Sequence, residues 1–88
     1  MEHFEFIQSV LVILKLEKEW SETNAEKIED LSMDLIKRIA EERYAPNWKI
    51  YQFLDDFDIR RRDRDYAKSQ IIRVEKEIAK IQNRSGGF

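Results

Sequence analysis

The chain has no cysteine, one proline, two glycines and one histidine in 88 residues. Each shortage removes a class of structure or chemistry. Without cysteine there is no disulfide framework, no thiol nucleophile and no Cys/His zinc set. A single histidine, His3, is too few for a di-iron bundle of paired Glu-x-x-His elements. A Ser-His-Asp triad would need His3 to leave the N-terminal turn. Both glycines, Gly86 and Gly87, lie at the C-terminal end, so there is no glycine-rich phosphate loop and no Asn-Gly or Asp-Gly hairpin turn. The longest unbroken apolar run is Val10 to Leu14, far short of the ~20 residues that span a bilayer. The start, Met1-Glu2-His3-Phe4-Glu5, is acidic where a secretory signal is basic. We therefore expect a cytoplasmic protein with no cofactor and no membrane partner.

What is abundant is charge, and it is unevenly laid out. Residues 1–59 hold 7 Lys/Arg against 14 Asp/Glu, a net of −7, whereas residues 60–88 hold 9 against 4, a net of +5. The overall balance of −2 hides two opposed halves. Such asymmetry points to a polar contact surface for an acidic partner, a nucleic acid or a second copy. A chain this short buries only ~60–65% of its unfolded surface, which favours self-association.

The pattern predicts an all-α fold: a small bundle of three helices forming one domain over residues 1–84, with a flexible tail at 85–88. The first helix is expected from about His3 to Trp20. Its apolar residues cover more of the circumference than one core-facing stripe, so Val10 and Leu14 are expected at an oligomer interface. Thr23 with Glu26 fits a capping box for the second helix, whose stripe is Ile28, Leu31, Leu35 and Ile39. That helix is expected to end near Arg43-Tyr44, because Ala45 precedes Pro46. From Pro46-Asn47 a third helix runs to about Gln82, either continuous at ~50 Å or bent near residues 58–66. Its second half carries Ala67, Ile71, Val74, Ile78 and Ile81 at heptad-like spacing. Ile71, Val74, Ile78 and Ile81 are expected to complete the oligomer seam, and Ser85-Gly86-Gly87 to stop the helix.

Three constellations carry candidate functions. Around the helix junctions, Tyr44, Trp48 and Tyr51 flank Pro46 as an aromatic corner, and such residues are enriched where proteins bind proteins. The junction from Asp55 to Asp65 holds Arg60, Arg61, Arg62 and Arg64 and no lysine; arginine makes forked contacts with carboxylate or phosphate. These seven residues are the expected partner-binding set. Three of these arginines also stand at i,i+4 from acids (Asp56–Arg60, Asp58–Arg62, Arg61–Asp65), which predicts a solvated ladder of ion pairs. A nucleic-acid footprint is the alternative. Arg62, Tyr66, Arg73, Lys76, Lys80 and Arg84 share one side of the last helix, with Tyr66 available to stack on a base. The third constellation is Glu26-x-x-Glu29 followed by Asp55-x-x-Asp58. Two acidic i,i+3 pairs on neighbouring helices offer oxygen ligands for Mg²⁺. This pattern resembles the acidic pairs of the all-α MazG-like nucleotide pyrophosphatases, and the resemblance implies Mg²⁺-dependent nucleotide hydrolysis. The leading expectation is nevertheless a non-catalytic adaptor or inhibitor-type protein that binds another protein and self-associates.

Overall fold

A computed structural model describes the backbone of residues 1–86 and the side chains of residues 1–83. Among the described residues five helices follow in order: α1 (His3–Lys18), α2 (Glu22–Glu41), α3 (Trp48–Asp55), α4 (Phe57–Arg62) and α5 (Arg64–Gly86). Among the described residues there is no strand, and no helix is long and apolar enough to cross a membrane.

The helix ends are set by short polar side chains. Ser21, in extended backbone, accepts a bond from the Asn24 N–H at 3.2 Å and opens α2. The cap is thus two residues before the expected Thr23. The turn is closed by the Asn24 amide, which donates to the Glu19 carbonyl at 3.0 Å. At the other end, Arg43 takes a left-handed φ of 52°. The Tyr44 N–H bonds the Ile39 carbonyl and the Arg43 N–H bonds that of Ala40, the paired closure that satisfies the last free carbonyls of a helix. Asn47 caps α3, its Oδ1 accepting from the N–H groups of Lys49 (2.8 Å) and Ile50 (3.4 Å).

The expected long third helix is three helices. Asp63 breaks it: its backbone is extended (φ −132°, ψ 98°), and its Oδ1 accepts from the N–H groups of Asp65 (3.1 Å) and Tyr66 (3.0 Å). Aspartate competes with the helical backbone in this way and favours caps over interiors. Asp56 makes the other bend, serving as the C-cap of α3 and the N-cap of α4. The described residues extend 40 × 27 × 18 Å, less along their longest axis than the continuous helix alone would need. α5 continues through Gly86, so the expected stop at Ser85-Gly86 is helical, and the remainder of the expected tail, residues 87–88, lies outside the described residues.

One core joins α1, α2, α3 and α5: Phe6, Ile7, Val10, Ile13 and Leu14 meet Ile28, Leu35 and Ile39, then Ile50, Phe53 and Leu54, and finally Ile71, Val74 and Ile78. This corrects the expected oligomer seam. Val10, Leu14, Ile71, Val74 and Ile78 are buried within one chain, and Ile81 packs on the same cluster. The breaks at Asp56 and Asp63 are the physical reason. They fold α5 back so that its apolar row meets α1 and α3 of its own chain.

Candidate functional site

The arginine junction does not form the expected ladder. Arg60 points inward and is 0% exposed. Its Nε donates to Glu17 Oε2 at 2.6 Å and its Nη1 donates to Gln70 Oε1 at 2.9 Å and to the Phe53 carbonyl. Its Nη2 has no partner among the described residues, and the guanidinium lies 4.0 Å from the Phe53 ring centroid. Burial pushes this guanidinium below the ordinary arginine value, while the bond to Glu17 and the charges of Glu17 and Asp56 pull it back. Arg64 donates to the other Glu17 oxygen at 2.9 Å and to the Glu17 carbonyl at 3.1 Å, and stacks 4.5 Å over Trp20. Arg61 reaches Glu22 of α2 at 3.1 Å, and Arg62 only the Asp58 carbonyl at 3.4 Å. As partner-binding candidates, then, Arg60 has no surface and Arg64 is committed to α1, whereas Arg61 and Arg62 remain exposed.

Asp56 is also spent inside the molecule. Its Oδ2 accepts from the Tyr66 hydroxyl at 2.7 Å and the Gln70 amide at 2.9 Å. The bond that the Tyr66 hydroxyl donates to Asp56 raises the phenol above its ordinary value, with burial adding to the effect. Tyr66 is therefore anchored, not free to stack on a base. Of the other residues in the nucleic-acid alternative, Arg62, Arg73 and Lys76 are exposed and Lys80 pairs with Glu77 at 3.2 Å. The Arg84 side chain lies outside the described residues.

The aromatic corner divides in two. Tyr44 is structural: its ring packs on Phe6 with centroids 5.0 Å apart, and its hydroxyl is 2.8 Å from His3 Nδ1. Burial raises its phenol. Trp48 and Tyr51 are not absorbed in this way. Trp48 is 68% exposed and Tyr51, one turn along, is 38% exposed. Both stand on a helix held by the Asn47 cap and by Ile50, Phe53 and Leu54, each wholly buried. Lys49 sits 5.8 Å over the Trp48 ring and reaches Glu77 of α5 at 3.5 Å. The indole is thus an apolar surface in water on a firmly seated mount.

The acidic pairs do not make a ligand set. Glu26, Asp55 and Asp58 are exposed and Glu29 half-exposed, and among the described residues no three His, Cys, Asp or Glu side chains converge as metal ligands would. The residues that sequence reasoning missed are Glu17 and Gln70. Each had a signal: Glu17 follows Val10, Ile13 and Leu14 in the core-facing register, and Gln70 lies between Ala67 and Ile71. A charge in such a register demands a buried counter-charge, and an amide a buried hydrogen-bond partner.

No protein-family model matches the chain, and no curated protein or solved structure does so either; the likeness to MazG-like pyrophosphatases rests on those four carboxylates alone.

Proposed function

We propose that this chain is a non-catalytic adaptor or inhibitor-type protein that binds another protein through Trp48 and Tyr51, and that it self-associates. One observation carries the reading: a tryptophan left 68% exposed at the first residue of a rigidly seated helix. An indole buries a large area when covered, at little cost in side-chain entropy, and tryptophan is enriched among residues that dominate interface energy. Tyr51 extends the same face, and Arg61 and Arg62 are the exposed cations remaining from the expected set.

The test uses the chain and its Trp48→Ala variant as paired baits for chemical cross-linking in host cells, followed by affinity measurement on the captured protein. A hot-spot role predicts that the variant loses at least ~30-fold in affinity, the equivalent of ~2 kcal/mol, with unchanged helicity by circular dichroism. A partner held equally by both baits removes Trp48 from the interface and the proposal with it.

A further inference from the structure

Folding sorts charges that the sequence interleaves. On α2, Glu26, Asp30 and Asp34 stand at i,i+4 spacing, all exposed, and none has a cation in ion-pair range among the described residues. Half-exposed Glu29 adds to this row, and Lys27 and Lys37 border it. On α5, Lys68, Ile72 and Lys76 stand at the same spacing with Arg73 beside them. All four are exposed, and none of the three cations has a carboxylate in range among the described residues. The acids of this stretch are disposed of within the chain: Glu75 pairs with Lys18, and Glu77 is buried beneath Asn47, Lys49 and Lys80. The exposed charged residues from 66 to 83 are consequently Lys68, Arg73, Lys76 and Lys80, with Glu75 half-exposed and paired to Lys18.

The two rows lie on opposite flanks. α2 touches α1, α3 and α4 but not α5; α1 stands between them on one side and α3 with α4 on the other. Neither row can therefore satisfy the other within one chain. Each also carries one large apolar side chain, Met33 on α2 and Ile72 on α5, both 54% exposed. Rows at i,i+4 are the ridges that interdigitate in the commonest class of helix packing.

We propose that copies of this chain associate head to tail, the cationic row on α5 of one copy seated on the acidic row on α2 of the next. Charge, spacing and apolar content all match, and a second copy supplies all three together. A phosphate backbone would leave Ile72, in the middle of the cationic row, in water. The contact joins two different surfaces on opposite flanks, so it does not close at two copies and builds a larger ring or an open chain. It gives the self-association of the preceding reading a specific surface and is independent of the Trp48 corner.

Exposed ion pairs each contribute little, so the association is weak and is sought at ~0.1–1 mM protein by sedimentation velocity. At ~0.01 M salt, where charges act over ~30 Å, the average mass rises above the 10.7 kDa monomer with concentration. At ~1 M salt, where the range is ~3 Å, it returns to the monomer. Arg73→Gln/Lys76→Gln and Asp30→Asn/Asp34→Asn variants each remain monomeric at low salt. Mixed in equal amounts they form a discrete two-chain complex, because each retains the row that the other lacks. A wild-type chain that is monomeric throughout at low salt overturns the proposal, as does assembly indifferent to salt and to both variants. Duplex nucleic acid bound by a monomeric wild type, and released by Arg73→Gln/Lys76→Gln, would also overturn it and give the α5 row to a polyanion.

Discussion

Glu17 fastens the C-terminal helices to the first one. A single buried carboxylate accepts from Arg60 of α4 and Arg64 of α5, and neither cation finds another carboxylate in ion-pair range among the described residues. Removing one partner of a buried pair leaves a charge that has been stripped of water and given nothing in return. Glu17→Ala should cost ~3–5 kcal/mol, against a total of only ~4–13 kcal/mol expected for a chain of this length. Urea or thermal unfolding followed by circular dichroism checks this, and a loss below ~1 kcal/mol contradicts it. Replacing both Glu17 and Arg60 by Met should recover most of the loss, because well-packed apolar residues often serve as well as a buried pair. Even so, Arg64 keeps part of its role through its stacking on Trp20.

At the scale of the helix, Asp63 decides where α5 begins. Asp63→Ala removes the acceptor of two backbone N–H groups at the start of α5 and should cost ~0.5–2 kcal/mol, as loss of such a cap does. Hydrogen exchange should show the amides of Asp65 and Tyr66 losing protection while those of α1 keep theirs; unchanged protection at both would mean the cap is idle. The apolar stripes on α2 and α5, the stop before Pro46 and the alternative of a bend near residues 58–66 could be read directly from the sequence. The break itself was visible only as a change of stripe. Asp63 lies among arginines at spacings that also suit helical ion pairs, and local sequence does not say whether a carboxylate caps a backbone or pairs with a side chain. The same ambiguity hid Arg60. Counting on from Phe53 and Phe57 at helical spacing leads to Arg61 and Arg64, and the bend at Asp56 rotates Arg60 inward instead.

For the molecule as a whole, α3 and α5 are joined by a polar clasp that depends on pH. Glu77 is held below the ordinary carboxylate value of 4.5 by its bond from Lys80, then by that from Asn47 and the charge of Lys49. Glu42 is held below it too, by the Met1 amine first and then by Arg38. A carboxylate whose value is depressed on folding stabilises the fold above its unfolded value, and that contribution fades as pH falls through the folded one. Stability should therefore be full near neutrality and decline below about pH 4.5. Glu77→Gln should lower stability at pH 7 and make the acid decline shallower. Urea midpoints at pH 7 and pH 3 test this, and an equally steep decline in the variant would remove Glu77 from the account. The opposed charge of the two halves was plain from composition. Its division into an acidic and a cationic flank was not, because that depends on which way each helix is rotated about its axis once the core has formed.

The chain holds two tryptophans in contrasting settings, Trp48 out in solvent and Trp20 half-buried against the Arg64 guanidinium. They make the protein its own optical reporter, with the two channels separated by the single variants Trp20→Phe and Trp48→Phe. Emission from Trp48 changes when something settles on the corner of α3, whatever the state of the interior. Emission from Trp20 changes when α5 lifts from α1 and the cation leaves its ring. Binding and unfolding can thus be followed without an added label, each in the variant that keeps the indole placed to sense it.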